Sequence, residues 1–228
     1  MYKNKITALV PTRKGSQRVK SKNTRSFANT TLLDLKLEVL KHVKGIDEII
    51  VNTDCEMSME IAKKHGIKIH KRESYYASSD VTNNLHWKHL AEVTNAENIL
   101  LAQTTSPLIN ISTYEKAIQM FLNNKYDSIN SVSLEKKFLW QNGKPINYNI
   151  SETPKSQDLP DIYSLNFAIT LISKKDMFEM ENVVGKNPKF ITLDKVESVD
   201  IDDMIDFEFA EFLYIKYHKN IFKTEQLG

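Results

Sequence analysis

A chain of 228 residues with 41% hydrophobic and 26% charged residues has the apolar content for a well-packed core and the length of one domain rather than several. Its 31 basic and 29 acidic residues leave a formal charge of +2, without the strong basic bias of a nucleic-acid binder. The single cysteine, Cys55, excludes an internal disulfide framework and a cysteine-based zinc cluster. No signal-peptide pattern precedes Ile6 and no apolar run reaches the ~20 residues of a membrane helix, so a soluble, cytoplasmic protein with no nucleic-acid or membrane partner is expected.

Residues 6–11 form a short apolar run that reads as a buried strand. The strand ends abruptly in Thr12-Arg13-Lys14-Gly15-Ser16-Gln17-Arg18-Val19-Lys20-Ser21-Lys22-Asn23. Fixed positive charge, hydroxyls and close-approaching backbone N–H groups are what polyphosphate needs, although a solvated basic loop has the same composition. Apolar residues recur at helical spacing over 32–43, a strand follows at 48–54, and a helix at 57–65 is closed by Gly66. A strand at 67–70 completes a β-α-β-α-β order that implies parallel pairing. The polar segment 73–84 offers Ser79, Asp80 and Thr82 as caps for a helix over 85–93. A buried strand at 98–102, a helix at 113–123 and an alternating strand at 128–133 come next. From 134 to 160 the chain is rich in turn residues and aromatics, an excursion that suits a substrate lid or a dimerisation arm. A strand at 166–172, a helix at 174–180, a strand at 190–193 and a final helix at 204–217, capped by Asp202 or Asp203, complete the chain. Ligands in open parallel sheets sit beyond the strands' carboxyl ends, and the loops at 12–23, 53–54, 103–108 and 200–203 all fall on that edge.

Three segments carry chemistry. Arg13-x-x-Ser16 with Lys22-Asn23 has neither a Walker Gly-Lys-Ser/Thr nor Gly-x-Gly-x-x-Gly, which removes ATP-hydrolysing and dinucleotide readings. In it, Arg13 is suited to fork onto a phosphate and Lys22 to act as a movable point charge. Gln103-Thr104-Thr105-Ser106-Pro107-Leu108 places hydroxyls at a strand's end, where they suit a base or sugar edge; a plain connection with a capping serine looks the same. Asp200-Ile201-Asp202 points two carboxylates the same way, as a hard cation such as Mg²⁺ requires, while Asp203 is available to cap the helix. The six histidines show no ligand spacing, and His86 and His89 on one short helix read as surface residues. Ser16, Ser79 and Ser106 have no Gly-x-Ser-x-Gly context, so hydrolase chemistry is not expected.

Taken in order, Arg13/Ser16/Lys22/Asn23, Asn52-Thr53-Asp54, Arg72 with Ala77-Ser78, Gln103 to Leu108, the 157–166 segment leading to Asn166, and Asp200-Ile201-Asp202 resemble the acylneuraminate cytidylyltransferases over nearly the whole chain. The resemblance implies a Rossmann-like, mostly parallel sheet flanked by helices, of the nucleotide-diphospho-sugar transferase type. It implies an enzyme of surface-polysaccharide precursor synthesis that moves CMP from CTP to an acidic sugar and releases pyrophosphate. Arg13, Ser16 and Lys22 would then hold the triphosphate, with Asn23, Arg72, Gln103 and Ser106 placing the nucleotide. Asp200 and Asp202 would carry Mg²⁺, and Arg13, Lys22 and Asp202 would be the catalytic groups. Gln103, Thr105 and Asn166 would face the acceptor. The excursion matches the family's dimerisation region, so a homodimer is expected.

Three positions depart from the family pattern. Lys14 stands for a glycine, Thr104 for a proline, and Ser164 for the arginine two residues before Asn166. The nucleotide half is therefore expected intact and the acceptor half altered, with Lys137 or Lys155 as replacement cations. The open alternatives are CMP transfer to 3-deoxy-manno-octulosonate, to a phosphonate or phosphate compound, or a non-catalytic nucleotide-binding homologue.

Overall fold

The computed structural model describes residues 4–123 and 125–221. Strand β1 (Ile6–Pro11) is buried almost throughout because it lies inside the sheet with helices on both faces. After the basic loop, β2 (Ser26–Phe27) and β3 (Thr30–Thr31) form a small ladder that delivers the chain into α1 (Leu32–His42). Thr31 caps that helix by accepting from the Asp34 N–H. β4 (Glu48–Thr53), α2 (Glu56–Lys64) and β5 (Lys68–Lys71) follow, then the single turn α3 (Ser74–Ala77). The next elements are α4 (Asn83–Glu92), β6 (Asn98–Ala102), α5 (Ile111–Leu122) and β7 (Ser128–Glu135). Beyond them lie β8 (Trp140–Gln141), β9 (Lys144–Pro145), β10 (Ile162–Ser173), α6 (Lys174–Met180), β11 (Pro188–Thr192) and α7 (Met204–Ile221). Helix α4 starts ahead of the expected 85 because Thr82, not Ser79 or Asp80, caps it through the Leu85 N–H.

Seven strands form one sheet in the order β11-β7-β10-β6-β1-β4-β5. β10 alone runs against the others, so the sheet is the mostly parallel, helix-flanked one expected. Strand periodicity divides the core: Ala8 and Val10 share one cluster with Leu33, Tyr114 and Phe207, while Leu9 packs on the other side with Leu90 and Met177. Among the described residues no helix is long and apolar enough to cross a membrane.

Between β7 and β10 the chain leaves the sheet. Asn142 and Gly143, at φ +50° and +74°, close the β8–β9 hairpin as an Asn-Gly turn does. Asn147 ties its base, accepting from the Leu139 N–H at 2.9 Å and donating to the Lys137 carbonyl at 2.8 Å. Phe138 meets Tyr148 edge-on at 4.9 Å, and two short 3-10 turns (Ile150–Glu152 and Ser156–Asp158) lead back. β10 begins earlier than the expected 166. A bulge between Leu165 and Thr170, with Phe167 at φ +54°, breaks the alternation that would have revealed the full strand.

Candidate functional site

Because neighbouring parallel strands end at one edge, the segments after β1, β5 and β6 converge there with the entry to α7. They enclose a cleft of about 530 Å³ lined by Arg13, Ser16, Gln17, Arg18, Lys22, Asn23, Arg72, His86, Gln103, Thr105, Asp200 and Asp202, among others. The first loop is held from below by the fully buried Val19 and from the side by Asp54, whose carboxylate accepts from the Lys14 N–H at 2.8 Å. Gly15 takes φ +86°, a conformation that favours glycine. Lys22 differs from the movable charge expected: it is 8% exposed, and its ammonium donates to the Ile201 carbonyl.

The three loops are cross-tied by hydrogen bonds. Thr104, where the family pattern has proline, donates to Asn23 Oδ1 at 2.7 Å. The Ile201 N–H donates to the Thr105 carbonyl at 2.9 Å, and Ser106 Oγ donates to Asp200 Oδ1 at 3.2 Å. Thr105 also hydrogen-bonds Asp200 through its side chain. Ser106 is buried behind the cleft wall, so it holds Asp200 rather than meeting a ligand. Burial raises the Asp200 pKa, Asp202 adds to that rise, and Lys22 opposes it. Lys22 is lowered in turn, first by its own burial. Asp202 pairs with Arg18 at 2.7 Å, an exposed contact that a stronger cation can displace. Two exposed carboxylates close enough to act on each other at the edge of the cleft fit a hard divalent cation that also meets ligand oxygens. Among the described residues no group of three or more His, Cys, Asp or Glu forms a metal cage, so a cation here would complete its shell with ligand oxygens.

A chamber of about 220 Å³ adjoins the cleft, lined by Arg13, Arg72, Tyr76, Ala77, Ser78, Val81, Asn83 and His86. Arg72 is fixed at its floor, donating through Nε to Asn52 Oδ1 and through Nη2 to the Asn52 carbonyl at 2.8 Å. Its burial, aided by Arg13 and opposed by Asp54, brings the guanidinium down to about 10. His86 and His89 are not the surface residues expected from the sequence. His89 is buried and stacks on Tyr76 at 3.9 Å. His86 lines both cavities, and its Nδ1 is buried without a partner among the described residues. Burial first, then Arg72 and other cationic neighbours, pushes His86 down to about 4. Arg18, Gln17 and His86 were missing from the sequence-based set. Arg18 had a visible signal, its place in the basic loop, whereas His86 had none without the fold.

Of the acceptor residues expected from sequence, Gln103 and Thr105 line the cleft, whereas Lys137, Lys155 and Asn166 are not brought into it. Lys137 pairs with Glu135 at 2.8 Å and is largely exposed, and Lys155 lies exposed at the start of a 3-10 turn. Asn166 is spent inside the bulge: its Oδ1 accepts from Ser131 Oγ and its Nδ2 donates to Ser133 Oγ at 2.9 Å. Ser164 donates to Glu135 at 3.0 Å, so the position of the missing arginine is part of a local polar patch.

The fold and the cross-tied anion cleft define a nucleotidyltransferase of the α/β class. The match to the cytidylyltransferase family runs over residues 7–227, and the chain belongs to that family. It is 26% identical over 224 residues to the CMP-N,N'-diacetyllegionaminic acid synthase of Legionella pneumophila, covering 92% of this chain and 96% of that one. It is also 26% identical over 227 residues to the N-acylneuraminate cytidylyltransferase of Escherichia coli, spanning 96% of this chain but only 54% of that longer protein. Among solved structures, a CMP:2-keto-3-deoxy-manno-octonic acid synthetase complexed with CTP superposes with a TM-score of 0.69 at 12% identity, covering 93% of this chain and 99% of the other.

Proposed function

We propose that this cytidylyltransferase acts in the cytoplasm as a Mg²⁺-dependent homodimer that transfers CMP from CTP to a nonulosonic acid, the class of acidic sugar named for its legionaminic and acylneuraminic relatives. One observation carries the reading: hydrogen bonds tie the loops at 12–23, 103–106 and 200–202 into one cationic cleft with a carboxylate pair at its mouth. On this reading Arg13, Lys22 and Arg18 meet the phosphates, while the chamber of Arg72, His86 and the 77–78 backbone takes the pyrimidine. The sugar hydroxyl attacks the α-phosphorus, the bond to the β-phosphate bridging oxygen breaks, pyrophosphate leaves, and the hydroxyl proton passes to solvent. Such a displacement depends on charge stabilisation and alignment more than on a covalent intermediate. Asp200 and Asp202 would hold Mg²⁺, whose charge stabilises the phosphates. The exposed Phe138, Trp140, Ile146 and Ile150 of the excursion supply the apolar surface of the dimer interface.

The test is pyrophosphate release from each of the four nucleoside triphosphates with Mg²⁺ and a panel of nonulosonic acids, 3-deoxy-manno-octulosonate and phosphonates. Release with CTP and a nonulosonic acid supports the proposal. Preference for another triphosphate, or for an acceptor outside that class, overturns it.

A further inference from the structure

Lys36 lies in the middle of α1 on a face that otherwise buries Leu32, Leu33, Leu35, Leu37 and Leu40. It is 1% exposed, deep beneath the cleft, in a setting where an aliphatic side chain would pack without desolvating a charge. Among the described residues it forms no ion pair. Its ammonium instead donates to two neutral oxygens, the Ser106 carbonyl at 2.8 Å and the Tyr114 hydroxyl at 2.7 Å. The same Ser106 turns its hydroxyl to Asp200 at 3.2 Å, while the neighbouring Thr105 carbonyl holds the Ile201 N–H at 2.9 Å. Helix α1, the 105–106 turn and the aspartate loop are thus joined through one lysine.

We propose that Lys36 is a positioning residue for Asp200: by fixing the carbonyl of Ser106 it fixes the direction of the Ser106 hydroxyl, and through that the metal-facing carboxylate. Three observations support this. Tyr114, its other acceptor, is fully buried and belongs to α5, so Lys36 anchors the turn to the rigid helical layer rather than to another loop. The carboxylates of Asp200 and Glu197 are the charges that act on Lys36, which places its ammonium close behind the aspartate loop. Burial brings Lys36 down to about 7, a penalty that an aliphatic side chain filling the same space would not carry. The proposal rests on the metal reading above and concerns a residue that never meets the substrate.

The experiment measures CTP binding calorimetrically in EDTA and across a MgCl₂ titration for wild type, Lys36→Met and Ser106→Ala, with circular dichroism to confirm folding. The wild type should bind CTP more tightly as Mg²⁺ is added. In Lys36→Met, CTP affinity in EDTA should stay within about twofold, while the Mg²⁺ midpoint should rise about tenfold or more, the scale for losing the outer support of a metal ligand. A lysine with a packing role alone would change thermal stability and leave that midpoint in place; a midpoint within twofold of wild type overturns the proposal. If Lys36→Met does not fold, Ser106→Ala decides, since it removes only the hydroxyl on which the link depends: a raised midpoint supports the link and an unchanged one overturns it. A wild type whose CTP binding ignores Mg²⁺ overturns the metal reading itself, and the proposal with it.

Discussion

On the β1–β4–β6 side of the carboxyl edge hydrogen bonds tie the loops to one another, whereas on the β7–β10 side the chain leaves the sheet with apolar side chains uncovered. Asn23 is held by Thr104, Asp200 by Ser106, Ile201 by Lys22 and Arg72 by Asn52. Across the cleft, Lys137 and Ser164 both engage Glu135, Asn166 engages the bulge, and Trp140 and Ile150 face outwards. On the proposed reading, one chain assembles the nucleotide end and leaves the acceptor end to surfaces that a second copy would cover. Donor and acceptor recognition would then be separable, and variants on the two sides should fail differently.

The largest effect belongs to the aspartates. Asp200→Ala and Asp202→Ala should each lower kcat by about 10³-fold, the scale for removing a principal electrostatic stabiliser, with the fold intact by circular dichroism. Retained turnover in Mg²⁺ would remove them from the metal site. Arg13→Ala comes next. A charge-assisted hydrogen bond contributes roughly 1.5–3 kcal/mol, so CTP affinity by calorimetry should fall about 10- to 100-fold. Arg72→Met should act similarly but also lower stability, because it leaves Asn52 without its buried donor. The opposite side answers to another measurement. Trp140→Asp should weaken self-association about 30-fold by sedimentation, about 2 kcal/mol for an interface anchor, while CTP affinity stays within about twofold. A variant that loses CTP binding together with dimerisation would erase the distinction between the two ends.

The same division explains what the sequence revealed. On the nucleotide side strands are uninterrupted apolar runs and each site loop follows directly from one, so β1, β4 and β6 and their loops were legible to within a residue or two. Lys22 was recognisable as a cation but not as a buried one, since its carbonyl partner lies 179 residues away. His86 was misread because nothing on its own helix shows that Arg72 lies opposite. On the far side, Phe167 at positive φ hid the first part of β10, and Asn166, which the family likeness had marked for the acceptor, is occupied by two serines of β7. The Asn142-Gly143 turn was the one available signal for the β8–β9 hairpin.

The smallest expected effect probes the chamber proposed to take the base. His86→Phe keeps a ring of similar size and removes one hydrogen-bonding edge, so CTP affinity should fall about five- to tenfold, equivalent to about 1 kcal/mol. It should also leave a signature in stability against pH. His86 and His89 titrate near 6.5 when unfolded and are pushed to about 4 in the fold. Between those values the unfolded chain binds more protons than the folded one, so stability is full above pH 6.5 and declines as pH falls towards 4. The Tm of wild type should therefore drop between pH 7 and pH 5, and His86→Phe should drop less by roughly 4–8 °C, the shift that about 2 kcal/mol produces in a chain of this length. Equal slopes in the two proteins would mean that His86 takes up its proton alike in the folded and unfolded chain. Burial would then not hold the ring neutral, and the chamber would gain a third cation as pH falls below 6.5 instead of keeping a neutral edge for the pyrimidine.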